Sequence, residues 1–253
     1  MLTVDTRGVE ALFFDSVKRT CVPYMRRTWE CATADVLSRV EDAIYEDPLL
    51  LDDYRTSILV RPSATLLLPP HMVDEDDYEG NARALDVVDA AEYKDVWCER
   101  IGETTALFST PGGVKDFLSR SFLTEDVHHI LKPMVEHFAA KAKGEGGEKV
   151  WVHVGHSVLD MVAFRNGKLL HAGSWKCTEA ADAAYFILFA WRALRLDPAQ
   201  GELRVSGDEK VCRNLMTMLR RHINYVGLTI TATLMGNALR SGVGMNEALI
   251  LMS

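Results

Sequence analysis

Twice along the chain, three strand-forming runs in succession are followed by a helix-forming run and then by alternating strand and helix segments, and this repetition restricts the fold more than any other feature. In the first half, Leu2 to Asp15 reads as two strands around the polar turn Asp5-Thr6-Arg7-Gly8, and Thr20 to Thr28 as a third. Ala32, Val36, Val40, Ala43 and Ile44 then recur at helical spacing until Asp47-Pro48. Arg55 to Arg61 and Ala64 to Leu68 are expected as strands broken at Pro62-Ser63. The acidic run Asp74 to Glu79 is expected to open a solvated helix, where negative charge favours the N-terminal dipole. Tyr93 to Ile101 and Thr104 to Phe108 form a further strand pair, and Pro111 opens a helix to about Arg120, capped by Ser109 or Thr110.

The second half starts with a predicted helix from about Asp126 to Lys143, ending at Gly144-Glu145-Gly146-Gly147. Three consecutive strands follow, Lys149 to Gly155, Val158 to Arg165 and Lys168 to Trp175, the last two joined by Asn166-Gly167, which favours a type I′ turn. The helix from Glu179 to Arg195 is apolar around nearly its whole circumference, so it is expected to be buried on more than one side, a part of it being available for a dimer or partner surface. Glu202 to Val205, Asp208 to Arg221 and Tyr225 to Thr231 complete a strand–helix–strand series, and Ala248 to Met252 is expected as a last strand. Two α/β lobes follow, residues 1–124 and 125–253.

Other classes are excluded or disfavoured on elementary grounds. The 253 residues carry 28 Lys plus Arg against 36 Asp plus Glu, a net charge of −8 that repels a phosphate backbone, so nucleic acid is not an expected partner. Five scattered cysteines without a CxxC pair indicate reduced, buried thiols and not a disulfide framework or thiolate zinc site. The first residues lack a signal-peptide pattern, and the longest apolar run, Ala183 to Trp191, is far shorter than the ~20 residues of a membrane span, which makes the cytoplasm the expected location. His153 and His156 flank a glycine, but residues three apart on a strand face opposite ways, which argues against a metal pair there. Gly144 to Lys149 has the glycines of a phosphate loop but precedes a strand and carries two glutamates, so it reads as a linker. Thr110-Pro111-Gly112-Gly113-Val114-Lys115 lies between strand and helix, where free amides bind anions and capped amides do not.

The double three-strand meander, with Ala181-Asp182-Ala183-Ala184-Tyr185-Phe186-Ile187-Leu188-Phe189-Ala190-Trp191-Arg192-Ala193-Leu194, Leu196-Asp197 and Leu203-Arg204-Val205-Ser206-Gly207, resembles an uncharacterised bacterial family of about this length, itself similar to the actin-like ATPase superfamily with its duplicated ribonuclease H-like fold. Arg61-Pro62 through Leu68-Pro69-Pro70, Asp160 to Phe164 and Asn166 to Leu170 extend the resemblance through most of the chain. It implies two ribonuclease H-like lobes. It also implies where ATP and magnesium would bind if the chemistry persists: a hairpin turn in each lobe offering amides to phosphates, with an aspartate in each lobe for the metal and its water.

Asp5, Thr6, Arg7 and Gly8 supply that turn in the first half. In the second half the matching residues, Gly155, His156 and Ser157 after Val154, lack a carboxylate. Gly207, in Val205-Ser206-Gly207-Asp208, is one glycine where the superfamily's adenosine site usually has two. Asp5 to Gly8 are more simply read as an ordinary hairpin turn, and Ser206-Gly207-Asp208 as a strand end plus a helix cap. The expectation is a catalytically degenerate actin-like protein acting through protein partners or self-association, with ATP and magnesium as candidate ligands. The alternatives are a divergent ATPase or small-molecule kinase, and an assembly scaffold without ligand.

Overall fold

In the computed structural model, which describes residues 1–15, 17–18, 20–52, 54–91, 93–122, 126–229 and 243–250, the chain divides into two units, Met1–Ile130 and Leu131–Ser253. Unit 1 begins with β1 (Leu2–Asp5), β2 (Gly8–Asp15) and β3 (Thr20–Thr28), then α1 (Val36–Tyr45) and β4 (Ile58–Arg61). An inserted piece follows: β5 (Ala64–Leu68), α2 (Tyr78–Leu85), β6 (Lys94–Ile101) and β7 (Thr104–Pro111). The chain then returns through α3 (Val114–Phe122) to β8 (Val127–His129). The main sheet has the order β3-β2-β1-β4-β8, antiparallel through β1 and parallel from β1 to β8, and the insert forms its own antiparallel sheet, β5-β7-β6.

Unit 2 runs α4 (Lys132–Glu145), β9 (Glu148–Val154), β10 (Val158–Arg165), β11 (Lys168–Lys176), α5 (Ala180–Ala193), β12 (Glu202–Gly207), α6 (Glu209–Leu219), β13 (Tyr225–Leu228) and α7 (Met245–Ile250). Its sheet order, β11-β10-β9-β12-β13, repeats that of unit 1 strand for strand and sense for sense. The expected α/β duplication is therefore the observed architecture; unit 1 adds the insert between β4 and α3, and unit 2 adds α4 before its sheet and α7 after it.

Strands β9 and β10 lack polar alternation because both faces of the sheet are covered. Val150, Val152, Leu159 and Met161 share one core with Ile187 of α5 and Leu215 of α6. On the other face Trp151 stacks on Phe138 of α4 at 4.7 Å and meets Phe164 edge-on. Asn166 and Gly167 both take positive φ, 51° and 78°, as a type I′ turn requires.

Local details differ from expectation. Val127–His129, read as the start of a helix, is a strand: Ile58 N donates to Asp126 O and Ile130 N to Val60 O, closing a parallel pair with β4. Pro133 then fixes the first turn of α4. The last segment is a helix and not a strand, because Met245, Ala248 and Leu249 fall on one buried face; residues 251–252 of that expectation, and 230–231 of the preceding one, lie outside the described residues. Ser109 and Thr110 belong to β7 and do not cap α3. That cap is Asp95 of β6, whose carboxylate accepts from Gly113 N at 3.1 Å and Lys115 N at 2.6 Å, so these amides hold a side chain of the protein and not an external anion.

Two cysteines, Cys177 and Cys212, are buried, while Cys21, Cys31 and Cys98 are half-buried; all are free thiols. Burial, with Asp208 nearby, pushes the Cys212 thiol up to about 11, so it is unreactive. No helix among the described residues is long and apolar enough to cross a membrane.

Candidate functional site

Seven of the eight residues singled out from sequence lie on the first hairpin turn of each unit, and Gly207 ends β12 beside the second of these turns. In unit 1, β1 ends at Asp5 and β2 begins at Gly8. Asp5 Oδ1 accepts from Arg7 N at 2.8 Å and from the Thr6 hydroxyl at 3.3 Å, an Asx-type closure of the turn. Two guanidinium groups flank the same carboxylate, with Arg7 Nε 3.7 Å and Arg61 Nε 3.8 Å away. Trp29 pins the turn from outside, its indole N–H donating to Thr6 O and its backbone N–H to Arg7 O, both at 2.9 Å. Gly8 is required by close approach: a Cβ there would lie 2.5 Å from Arg27 O on the paired strand β3.

Arg61 was invisible to sequence reasoning as part of this turn. It stands 54 positions beyond Arg7 and reaches Asp5 only because β1 and β4 run parallel with Asp5 opposite Arg61.

In unit 2 the equivalent turn joins β9 to β10. Gly155 N donates to Val158 O at 2.8 Å, and Ser157 O accepts from Cys177 N at 3.0 Å; His156 is exposed. The place that Asp5 holds in unit 1 is taken by Val154, and the place of Arg61 by Gly207, which is paired with Val154 across β9 and β12. Gly207 has φ +135°, and a Cβ on it would run into Val154 O. Asp208 caps α6 through Lys210 N and Val211 N.

These donors do not fit a magnesium ion. Its oxygen ligands would have to include a carboxylate already closed onto its own turn between two guanidinium groups, and the matching position is a valine. Among the described residues no group of three His, Cys, Asp or Glu could hold a metal.

Two polar clusters escaped the sequence. One is a row across unit 2, one step in from the turn: Ser174, Asp160, His153 and Ser206 are successive cross-strand partners on β11, β10, β9 and β12. Asp160 is 2 % exposed and His153 5 %. Ser174 donates to Asp160 Oδ1 at 2.6 Å and Asn246 of α7 to Oδ2 at 3.0 Å. Ser206 donates to Val152 O, so His153 Nδ1–H donates to Ser206 Oγ at 3.2 Å. In unit 1 the positions matching Asp160, His153 and Ser206 are apolar, Val9, Val4 and Val60, and the edge position matching Ser174 is Arg27. A charge inside the apolar run Val158-Leu159-Asp160-Met161-Val162 was the available signal.

The other cluster joins the insert to the main sheet of unit 1. His128 Nδ1 bonds Glu99 Oε1 at 2.6 Å and its Nε2 bonds Asp126 Oδ1 at 2.8 Å, while Ser57 donates to Asp126 and His129 N to Glu99 Oε2. Partial burial opposes ionisation of Asp126, but the Ser57 hydroxyl, His128 and Arg55 together hold its carboxyl below the usual value. A carboxyl depressed in the folded state contributes stability above its unfolded pKa, near 4, that is lost as pH falls through the folded value. The stability difference between wild type and Asp126→Asn is therefore expected to be largest at neutral pH and to shrink at about pH 3. Urea titrations at the two pH values check this, and an equal difference at both would contradict it.

Comparison with known proteins agrees with the duplicated topology. A Bacteroides thetaiotaomicron protein with actin-like ATPase fold and unknown function is 16% identical, the match covering 100% of this chain and 95% of that one at a TM-score of 0.76. A chain of the PilM–PilN type IV pilus biogenesis complex is 11% identical, with 100% and 98% coverage and a TM-score of 0.55. At such identities the likeness shows the fold alone: this is an actin-like ATPase fold. No curated protein matches the chain. The model of the family described as "Protein of unknown function (DUF3822)" matches residues 1–226, most of the chain, and the protein belongs to that family.

Proposed function

We propose that this protein works through contacts with other proteins and not through ATP hydrolysis, on an actin-like frame whose two phosphate turns have become structural turns. One observation carries the reading. At topologically equivalent strand ends the chain has Asp5, closed onto its own turn between Arg7 and Arg61, and Val154, which has no oxygen to offer. Phosphoryl transfer in water relies on a metal and an oriented nucleophile, and loss of such groups removes orders of magnitude in rate. Arg7 N and Gly155 N are moreover spent within their turns. A protein of the same fold is found in the PilM–PilN complex, so the frame is compatible with work done by binding.

With ATP and magnesium, no turnover above buffer is expected. Turnover abolished by Asp5→Asn would overturn the reading in favour of a divergent ATPase or small-molecule kinase, with Asp5 facing the metal and Thr6, Arg7, Gly8 and Ser157 around the phosphates. Thermal denaturation in the same mixture reads binding apart from chemistry: ligand at 100 times its Kd adds about 2.7 kcal/mol. An unshifted transition with no turnover leaves a scaffold without nucleotide.

A further inference from the structure

Helix α5, expected to be buried on more than one side with part of its stripe open to a partner, packs against the sheet and α6 and leaves one face open. It buries Ala183, Ala184, Ile187, Ala190 and Trp191, and turns Tyr185 (64 % exposed) and Phe189 (57 % exposed) to solvent. These two rings end a continuous ribbon. His171 lies 5.4 Å from Trp175, Trp175 stacks on Phe186 at 5.8 Å, Phe186 meets Tyr185 at 5.4 Å, and Tyr185 stacks on Phe189 at 6.3 Å. The ribbon therefore starts on β11 and climbs onto the helix. Burial lowers the His171 pKa, so the ring at the strand end is neutral near pH 7.

β11 is an edge of its sheet; among the described residues β10 is the one strand paired with it, which leaves a nine-residue edge able to accept another strand. The equivalent edge of unit 1, β3, is broken by Pro23, which has no N–H to give. β11 has no proline. Besides a register shift at Leu170, its guards are Lys168 and Lys176, one at each end, both exposed and neither with an ion-pair partner among the described residues.

The two lysines decide what can occupy this edge. A second copy pairing antiparallel about Ala172 would set Lys168 against Lys176 at both ends, and parallel pairing would set each lysine against itself. A strand with carboxylates at its ends turns the same charges into attraction. Asp182, the acid next to this face, is already engaged at the helix start by Thr178 and the Glu179 amide. On the α5 side of β11, His171 and Trp175 are separated by Gly173, so alternate side chains of an added strand would continue the aromatic ribbon outward.

We propose that the β11 edge and the Tyr185–Phe189 face of α5 form one docking surface for an extended segment of a partner protein, apolar at alternate positions and acidic at both ends. The proposal rests on the reading that the protein works through protein contacts.

The test uses the full chain as bait for displayed random peptides of about twelve residues, long enough to span the strand. Enriched peptides are expected to carry terminal acids and alternating apolar residues. Their dissociation constants should rise at least about tenfold against Lys168→Glu/Lys176→Glu and, separately, against Tyr185→Glu/Phe189→Glu. Circular dichroism melts show whether each variant folds, and the lysine pair keeps the test valid if the aromatic pair does not. Backbone N-methylation at alternate peptide positions should abolish binding in one of its two registers.

Peptides that bind both variants as tightly as wild type, or no enrichment, would overturn the proposal. So would a wild-type dimer in sedimentation that Tyr185→Glu/Phe189→Glu disperses, which would assign the face to a second copy. None of these results produces ATP turnover, whereas Asp5-dependent turnover ends the non-hydrolytic reading whatever the peptides do.

Discussion

Gly207→Ala is expected to destabilise unit 2 by about 3 kcal/mol, whereas Gly155→Ala, on the neighbouring turn, is expected to cost less than about 1 kcal/mol. Sequence reasoning treats the two glycines alike, as members of one candidate ligand site. The backbone separates them. Gly207 has φ +135°, a region that side chains with a Cβ rarely enter, and its added methyl would be driven into Val154 O. That oxygen belongs to the backbone of β9, the strand Gly207 is paired with, so it cannot yield without opening the β9–β12 ladder. At Gly155 φ is not positive and the first atom met is a methyl of Val158 at 3.3 Å, which can move. Gly8→Ala should resemble Gly207→Ala, since it too strikes a carbonyl of a paired strand.

Urea unfolding, with hydrogen exchange of the β9 and β12 amides to locate the loss, measures these differences. The outcome bears on function. If Gly8 and Gly207 are held by strand approach, their presence needs no phosphate to explain it. Equal, small effects at all three positions would remove that explanation and restore ligand contact as the reason for the glycines.

The order of elements was legible because it is written in local patterns: β-branched runs, the Asn166-Gly167 turn, and the spacing of Val36, Val40 and Ile44. What was not legible depends on register between distant segments. Arg61 reaches Asp5, and Asp95 caps α3, through strand pairing that no window of sequence contains. The outward face of α5 was hidden for a different reason. When nearly every position is apolar, periodicity carries no phase: the buried side holds Ala183, Ala184 and Ala190 with Ile187 and Trp191, and Tyr185 and Phe189 lie on the outer side. In the candidate site, Asp5 to Gly8 and Gly155 to Ser157 lie in turns, as their residue types favour, and the contrast of an engaged Asp5 with Val154 follows from matching the two sheets strand by strand.

Asp160→Ala is expected to be the other severe substitution, at about 3 kcal/mol, because it removes from a buried site the carboxyl group that accepts from both Ser174 and Asn246. Breaking a buried hydrogen bond from one side exposes the desolvation cost of the partner that remains. Replacing the whole row is a different experiment. Unit 1 builds the same sheet position from Val4, Val9 and Val60, so the fold does not require polarity there.

A variant with His153→Val, Asp160→Val and Ser206→Val, with Ser174→Ala and Asn246→Leu to retire the remaining donors, should therefore recover at least about half of the loss seen in Asp160→Ala, since well-packed apolar replacements of buried polar groups are often neutral or stabilising. Denaturation of the two variants against wild type, followed by tryptophan emission, decides it. Recovery would mean that the second unit keeps its polar row at that position for something other than holding the sheet together. A multiple variant less stable than Asp160→Ala would instead make the polar row the organising contact between α7 and the strands beneath it.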